Sequence, residues 1–254
     1  MTSYKYKPYS IASPPYDITS GGIRVMYAFQ SWLETKGQIA LINSRFDVPF
    51  IGVYPEIYHG NGLKADTVVR YILQTPGVMA TGGVPGPTSF DKTDKIYVFS
   101  RLYDSFGVDD DHILFCPVIN LHLFKDLKKK RTKTCYLVGK GVNQHKHPSD
   151  SLELTRVFAS DQAALALVLN ECQTLYCYDP ISAMMDIARL CGCPVRYFGG
   201  HPLRELKKYE PGLEGIDFGQ GSDFDPLNFR FHYQELREIF SKRLDYFIED
   251  TQHG

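Results

Sequence analysis

Short apolar runs alternate with glycine-marked polar turns and with segments of helical period along most of the chain. Residues 9–13 read as a first strand, closed by Pro14-Pro15. Beyond the loop YDITSGG, apolar side chains at Val25, Met26, Phe29, Trp32 and Leu33 mark one helix face. Ser20 supplies the N-cap and Gly37 the stop. Residues 38–43 and 48–54 follow as strands, 65–74 as a short amphipathic helix, and 95–100 and 112–118 as further strands. The pattern restarts with a strand over 134–141 that ends in a glycine-flanked lysine, and a helix over 161–171 capped by Ser160 or Asp161. Residues 174–200 form a βαβ unit. A strand (175–178) meets the turn Asp179-Pro180, a helix (181–190) carries Ile181, Met184, Met185 and Ala188 at helical spacing, and a second strand spans 194–198. A last helix over 231–249 places Leu236, Ile239, Phe240, Leu244, Phe247 and Ile248 on one face. Such alternation predicts an α/β protein with mainly parallel sheets.

Composition divides this pattern in two. Six of the nine residues 125–133 are Lys or Arg, the one sharp shift in the chain. The expected organisation is an N-terminal Rossmann-like domain over 1–124, a basic linker over 125–133, and a C-terminal Rossmann-like domain over 134–254. The final helix is long enough to pack across both. The linker reading has a rival: Lys128, Lys129, Lys130 and Arg131 as a peripheral contact with an acidic membrane surface. At 254 residues and 43% hydrophobic, the chain can bury one large core or two modest ones. A net charge of -1 argues against general attraction to nucleic acid. No apolar run spans a bilayer. The start, MTSYKYKPYS, lacks a secretory h-region, and the six cysteines are not spaced as a disulfide framework. Reduced thiols in a cytoplasmic protein are the expectation.

Candidate chemistry sits at turns between strands and helices. Gly21-Gly22 opens the first helix and lets a ligand approach, or simply permits a tight turn. Lys140, between Gly139 and Gly141, could reach a phosphate with its ammonium, or could be an ordinary surface lysine. Asp179 and Ser182 lie at the anion-favouring start of the βαβ helix. Neither glycine turn completes a GxGxxG or a P-loop, which counts against a dehydrogenase-like binder. His145 and His147 form HxH, and Cys191 and Cys193 form CxC, but neither has a zinc spacing around it. No metal is expected.

SGGIRVMYAFQSWLETKG, VYPEIYHGNGLKADTVVRYILQTPGV, YLVGKG and CYDPISAMMDIARLCGCPVRYFGG together resemble GT-B-type glycosyltransferases, in particular small bacterial members. The resemblance covers most of 20–200. It implies two Rossmann-like domains facing a cleft, and a nucleotide-sugar donor held mainly by the C-terminal one. Transfer to a glycan or glycoconjugate acceptor would need no metal. By the same resemblance Lys140 faces the donor diphosphate, Asp179 and Ser182 face sugar and phosphate, and Gly21-Gly22 lies against donor or acceptor. The family's second acid falls here on Ile187. Asp186, one position away, either takes over its ribose contact or that contact is absent. Asp17, Glu56 and His59 are the candidates for a catalytic base because they lie in first-domain loops. A degenerate, non-catalytic nucleotide-binding or scaffold module is the alternative.

Overall fold

In the computed structural model the main strands gather into two parallel sheets of five strands each. The structure describes residues 6–81, 83–219 and 225–253, so part of the glycine- and aspartate-rich loop 212–226 and the first five residues lie outside the described residues. The chain divides into two units, Met1–Val118 with Leu236–Gly254, and Ile119–Glu235. The break thus precedes the basic run, and most of the terminal helix belongs to the first unit.

The first unit contains β1 (Tyr9–Ile11), α1 (Gly21–Thr35), β2 (Ala40–Ile42), β3 (Ile51–Pro55), β4 (Thr67–Ile72), the ribbon strands β5 (Ala80–Thr81) and β6 (Val84–Pro85), and β7 (Lys95–Val98). Its sheet runs β2-β1-β3-β4-β7. Ser20 caps α1 and Gly37, at φ +73, ends it, as its sequence predicts.

Two segments differ from their sequence reading. Residues 65–74 contain strand β4 and no helix. Thr67, Val68, Val69 and Ile72 are β-branched and suit a pleated sheet, and the run is too short for period alone to separate the two states. Residues 112–118 form no strand. Residues 113–117 are buried, follow a 3-10 turn at Asp110–His112 and touch the sheet through one bridge, Val98 to Ile113.

The second unit contains β8 (Lys133–Leu137), β9 (Leu152–Glu153), α2 (Arg156–Ser160), α3 (Gln162–Glu171), β10 (Cys172–Cys177), α4 (Ala183–Leu190), β11 (Val195–Tyr197), α5 (Leu203–Leu206) and β12 (Ile216–Asp217). Its sheet runs β12-β11-β10-β8-β9. Helices α3 and α4 pack on β10, and α4 also on β11. Cys135 and Cys172 are joined as a disulfide, which departs from the expectation of six free thiols; Cys116, Cys177, Cys191 and Cys193 are free and buried.

Four of the six basic residues of the run, Lys128, Lys129, Arg131 and Lys133, pair within this unit. Arg131 donates to the carbonyls of Leu169, Cys172 and Cys191 and pairs with Asp126 at 3.1 Å. Lys128 pairs with Asp126, and Lys129 and Lys133 with Glu171. Among the described residues, no helix is long and apolar enough to cross a membrane.

The terminal helix, α6 (Phe229–His253), is longer than its pattern suggested at both ends. It buries Phe229, Tyr233, Leu236, Phe240, Leu244, Phe247 and Thr251, every third or fourth residue, while Ile239 is 43% exposed and off that stripe. In the first unit Phe240, Leu244 and Phe247 pack with α1 residues Val25, Met26, Phe29 and Leu33 and with strand residues Tyr9, Val53, Val69, Tyr71 and Tyr97. Phe247 lies edge-on to Phe29 at 5.2 Å and to Tyr97 at 4.8 Å. Asp250 accepts from Lys95 Nζ and from the Tyr97 hydroxyl, both at 2.8 Å. Truncating Phe247 to Ala should therefore cost about 3–5 kcal/mol of first-unit stability in urea unfolding. Near-parental stability would show that α6 is not part of that core.

Candidate ligand site at the strand ends

Numbered by their order along the chain, the strands of both sheets lie in the sequence 2-1-3-4-5. In a parallel sheet of this order the connections diverge between strands 1 and 3, and ligands bind in the crevice outside the carboxyl ends there. In the second unit those strands are β8 and β10. The loops that follow them carry Gly139, Lys140 and Gly141, and Asp179 and Ser182.

Asp179 ties these loops together. It is 5% exposed, and its two oxygens accept from the backbone N–H of Lys140 and of Ile181, each at 3.0 Å. Burial raises its carboxyl above the usual carboxylate range, against the pull of those two amides and of the Lys140 charge. The loops approach so closely that side chains would not fit. A Cβ on Gly139, whose φ is +55, would fall 1.9 Å from Asp179 Oδ2, and one on Gly141 would fall 1.8 Å from the Tyr178 carbonyl oxygen. Ser182 caps α4, its hydroxyl accepting from Met184 N at 3.2 Å. Lys140 itself is exposed.

The connection from β8 to β9 folds back over the same strand ends. Tyr178 Oη accepts from Lys146 N at 2.9 Å and meets His147 Nδ1 at 2.8 Å. Gln144 donates to the Phe198 carbonyl at 3.0 Å. Burial, with the neighbouring His145, pulls the His147 imidazole below the ordinary histidine value. Among the described residues, no three or more His, Cys, Asp or Glu side chains gather as a metal site.

Asp186 does not join this cluster. It is 2% exposed, on the buried side of α4, with Arg189 at 2.6 Å on one oxygen and the Tyr209 hydroxyl at 2.6 Å on the other. Burial raises its carboxyl as well. Arg189 is equally enclosed. It donates to the carbonyls of Gly212 and Glu214 and lies 3.7 Å over the Phe229 ring.

In the first unit the strands flanking the divergence are β1 and β3. The loops after them carry Asp17, leading into Gly21-Gly22, and Glu56 and His59. Asp17 Oδ1 accepts from Thr19 N at 2.8 Å and Thr19 Oγ1 at 2.6 Å, which shapes the turn into α1. Glu56 is 4% exposed and accepts from Leu73 N at 2.8 Å. His59 is exposed, with Nε2 3.0 Å from the Pro85 carbonyl. Gly21 has open space where a Cβ would stand, and Gly22 would meet only Leu73 Cδ1 at 3.5 Å. Packing requires neither glycine.

Arg70 is the residue here that sequence reasoning missed as a site element. It is 3% exposed on β4 and pairs with Asp94 at 2.7 Å. It also donates to the carbonyls of Tyr58 (3.1 Å) and Gly60 (2.8 Å), gripping the chain on either side of His59. An arginine inside the apolar run TVVRYI was the available signal.

Comparison with protein-family models and with curated proteins finds no match for this sequence.

Replacing Asp179 with Ala would leave two part-buried loop amides without their acceptor. The variant should lose roughly 2 kcal/mol or more of second-unit stability in denaturant unfolding. Asp179→Asn, which keeps one acceptor oxygen, should lose less. Equal stability of all three proteins would contradict the bridging role.

Proposed function

We propose that the chain is a nucleotide-sugar-dependent glycosyltransferase of GT-B type, with the donor at the strand ends of the second unit. The observation that carries this reading is a coincidence of topology and sequence. The residues that resemble the family's donor-binding half, Gly139–Gly141, Asp179 and Ser182, fall where a 2-1-3-4-5 sheet binds ligands.

The chemistry follows from the groups available. Transfer leaves a nucleoside diphosphate, whose negative charge grows as the sugar bond breaks. The Lys140 ammonium and the N-terminus of α4 offset that charge, and such stabilisation where charge develops is worth most in a preorganised site. Asp179 serves as a positioning residue, since its oxygens are committed to loop amides. In the first unit, the open approach to Gly21 and Gly22 suits an acceptor.

For the catalytic base we assign His59. With Nε2–H donating to the Pro85 carbonyl, its Nδ1 keeps the lone pair that takes a proton from an acceptor hydroxyl. Glu56 and Asp17 are engaged with backbone amides.

One observation favours a second reading, a nucleotide-binding module without turnover. The position of the family's second acid is Ile187, and the adjacent Asp186 is closed off by Arg189 and Tyr209.

Thermal-shift titration with UDP, GDP and dTDP, followed by donor-hydrolysis assays on their sugars, tests both. The expected outcome is stabilisation by one nucleotide, lost in Lys140→Ala and kept in His59→Ala, with turnover lost in both variants. Stabilisation without any turnover would select the second reading. No response to any nucleotide would remove both.

A further inference from the structure

One face of the second sheet carries a continuous line of polar and aromatic side chains. The strand register makes Glu153, Tyr136, Tyr176, Arg196 and Asp217 successive neighbours across all five strands. The opposite face holds the buried Cys135, Leu175, Cys177 and Val195. Along the line Glu153 is exposed, Tyr136 and Tyr176 are half-buried, and the Arg196 side chain is 37% exposed, while the Asp217 carboxylate is buried beside it.

The polar ends of the line are fixed by their neighbours. Tyr136 donates to Glu153 at 3.0 Å, and Arg196 Nε donates to Asp217 at 2.9 Å while the guanidinium lies 5.9 Å from the Tyr176 ring centre. Phe198 extends the aromatic surface, 8° from parallel with Tyr176 and stacked on Tyr178 at 5.5 Å. The chain already lays one planar group on this face: the His147 imidazole stacks on Tyr136 at 3.8 Å, 7° from parallel.

We infer that this line is a binding surface for a neutral, hydroxyl-rich glycan chain. Sugar rings present C–H faces that lie on aromatic rings, while their hydroxyls donate to carboxylates and accept from guanidinium groups. The line offers both kinds of contact, the ring of Tyr176 together with the exposed Glu153 and the part-exposed guanidinium of Arg196. Its charges also select the ligand. Arg196 stands between the exposed Glu153 and the buried Asp217, and Lys146 Nζ lies 4.8 Å over the Phe198 ring, so charges of both signs meet here and no field of a single sign attracts a polyanion. A single-stranded nucleic acid would also stack on sheet aromatics, but it needs a cationic groove, and the exposed Glu153 opposes its phosphates. The spacing fits as well. Adjacent strands lie about 4.8 Å apart, a step comparable to one sugar ring of an extended glycan. This surface goes beyond the donor site proposed above and does not depend on nucleotide binding.

Calorimetric titration of the full chain with chitohexaose, cellohexaose and maltohexaose, and with poly(U) as the polyanion, tests the inference. At least one hexaose should bind, and Tyr176→Ala and Arg196→Ala should each weaken it about tenfold or more. Tyr176→Phe should retain the ring stacking and most of the affinity. The thermal response to nucleotide should be the same in these variants as in the parent. Failure of all three hexaoses, binding of poly(U) in their place, or parental affinity in the Arg196→Ala and Tyr176→Ala proteins would overturn the proposal. If the nucleotide panel fails while a hexaose binds through Tyr176, the glycan surface stands and the transferase reading falls.

Discussion

The buried carboxylate of Asp179 is the contact on which the second unit's candidate site depends. It takes the N–H of Lys140 from one loop and of Ile181 from the other. A buried charge is costly, and the raised carboxyl of Asp179 expresses that cost; the two amide hydrogen bonds partly offset it. Glycine at 139 and 141 follows from the same packing, because a side chain at either would strike Asp179 or the Tyr178 carbonyl. An internal carboxylate also constrains any external anion. Phosphates would have to meet this turn from the side of Lys140 and the α4 N-terminus.

The first unit fixes its corresponding loop with the opposite charge. Arg70 lies within the sheet, satisfied by Asp94, and uses its remaining donors on the carbonyls of Tyr58 and Gly60. One unit gathers amides around an acid, the other carbonyls around a guanidinium. Both devices act beside the third strand of a sheet with the same 2-1-3-4-5 order. Each converts an irregular loop into a defined surface, which a binding site requires.

Much of this was legible in the sequence where period and punctuation agree. Ser20 and Gly37 bracket α1, Asp161 caps α3, and the strand–turn–helix–strand pattern around Asp179 is present as read. Residues 65–74 misled because Val68, Val69, Tyr71 and Ile72 satisfy a helical stripe as readily as a strand, and the parallel neighbours that decide the matter are distant in sequence. The division of the chain was hidden for a related reason. The charges at 128–133 look like a linker until Asp126, Glu171 and the carbonyls around Arg131 are brought beside them. At the site, spacing could name Lys140, Asp179 and Asp186 but could not say where their side chains go. Asp186 turned out to be an interior ion-pair partner, since its place on α4 faces Arg189 and Tyr209.

The account's central claim is that the loops joined through Asp179 form a nucleotide site. Amide hydrogen exchange with and without UDP, GDP and dTDP tests it most directly, because protection is read at individual segments. The account predicts that one nucleotide slows exchange at residues 139–141 and 178–184, and that Asp179→Ala abolishes the effect. Unchanged exchange in these loops with all three nucleotides, or protection confined to other segments, would contradict it.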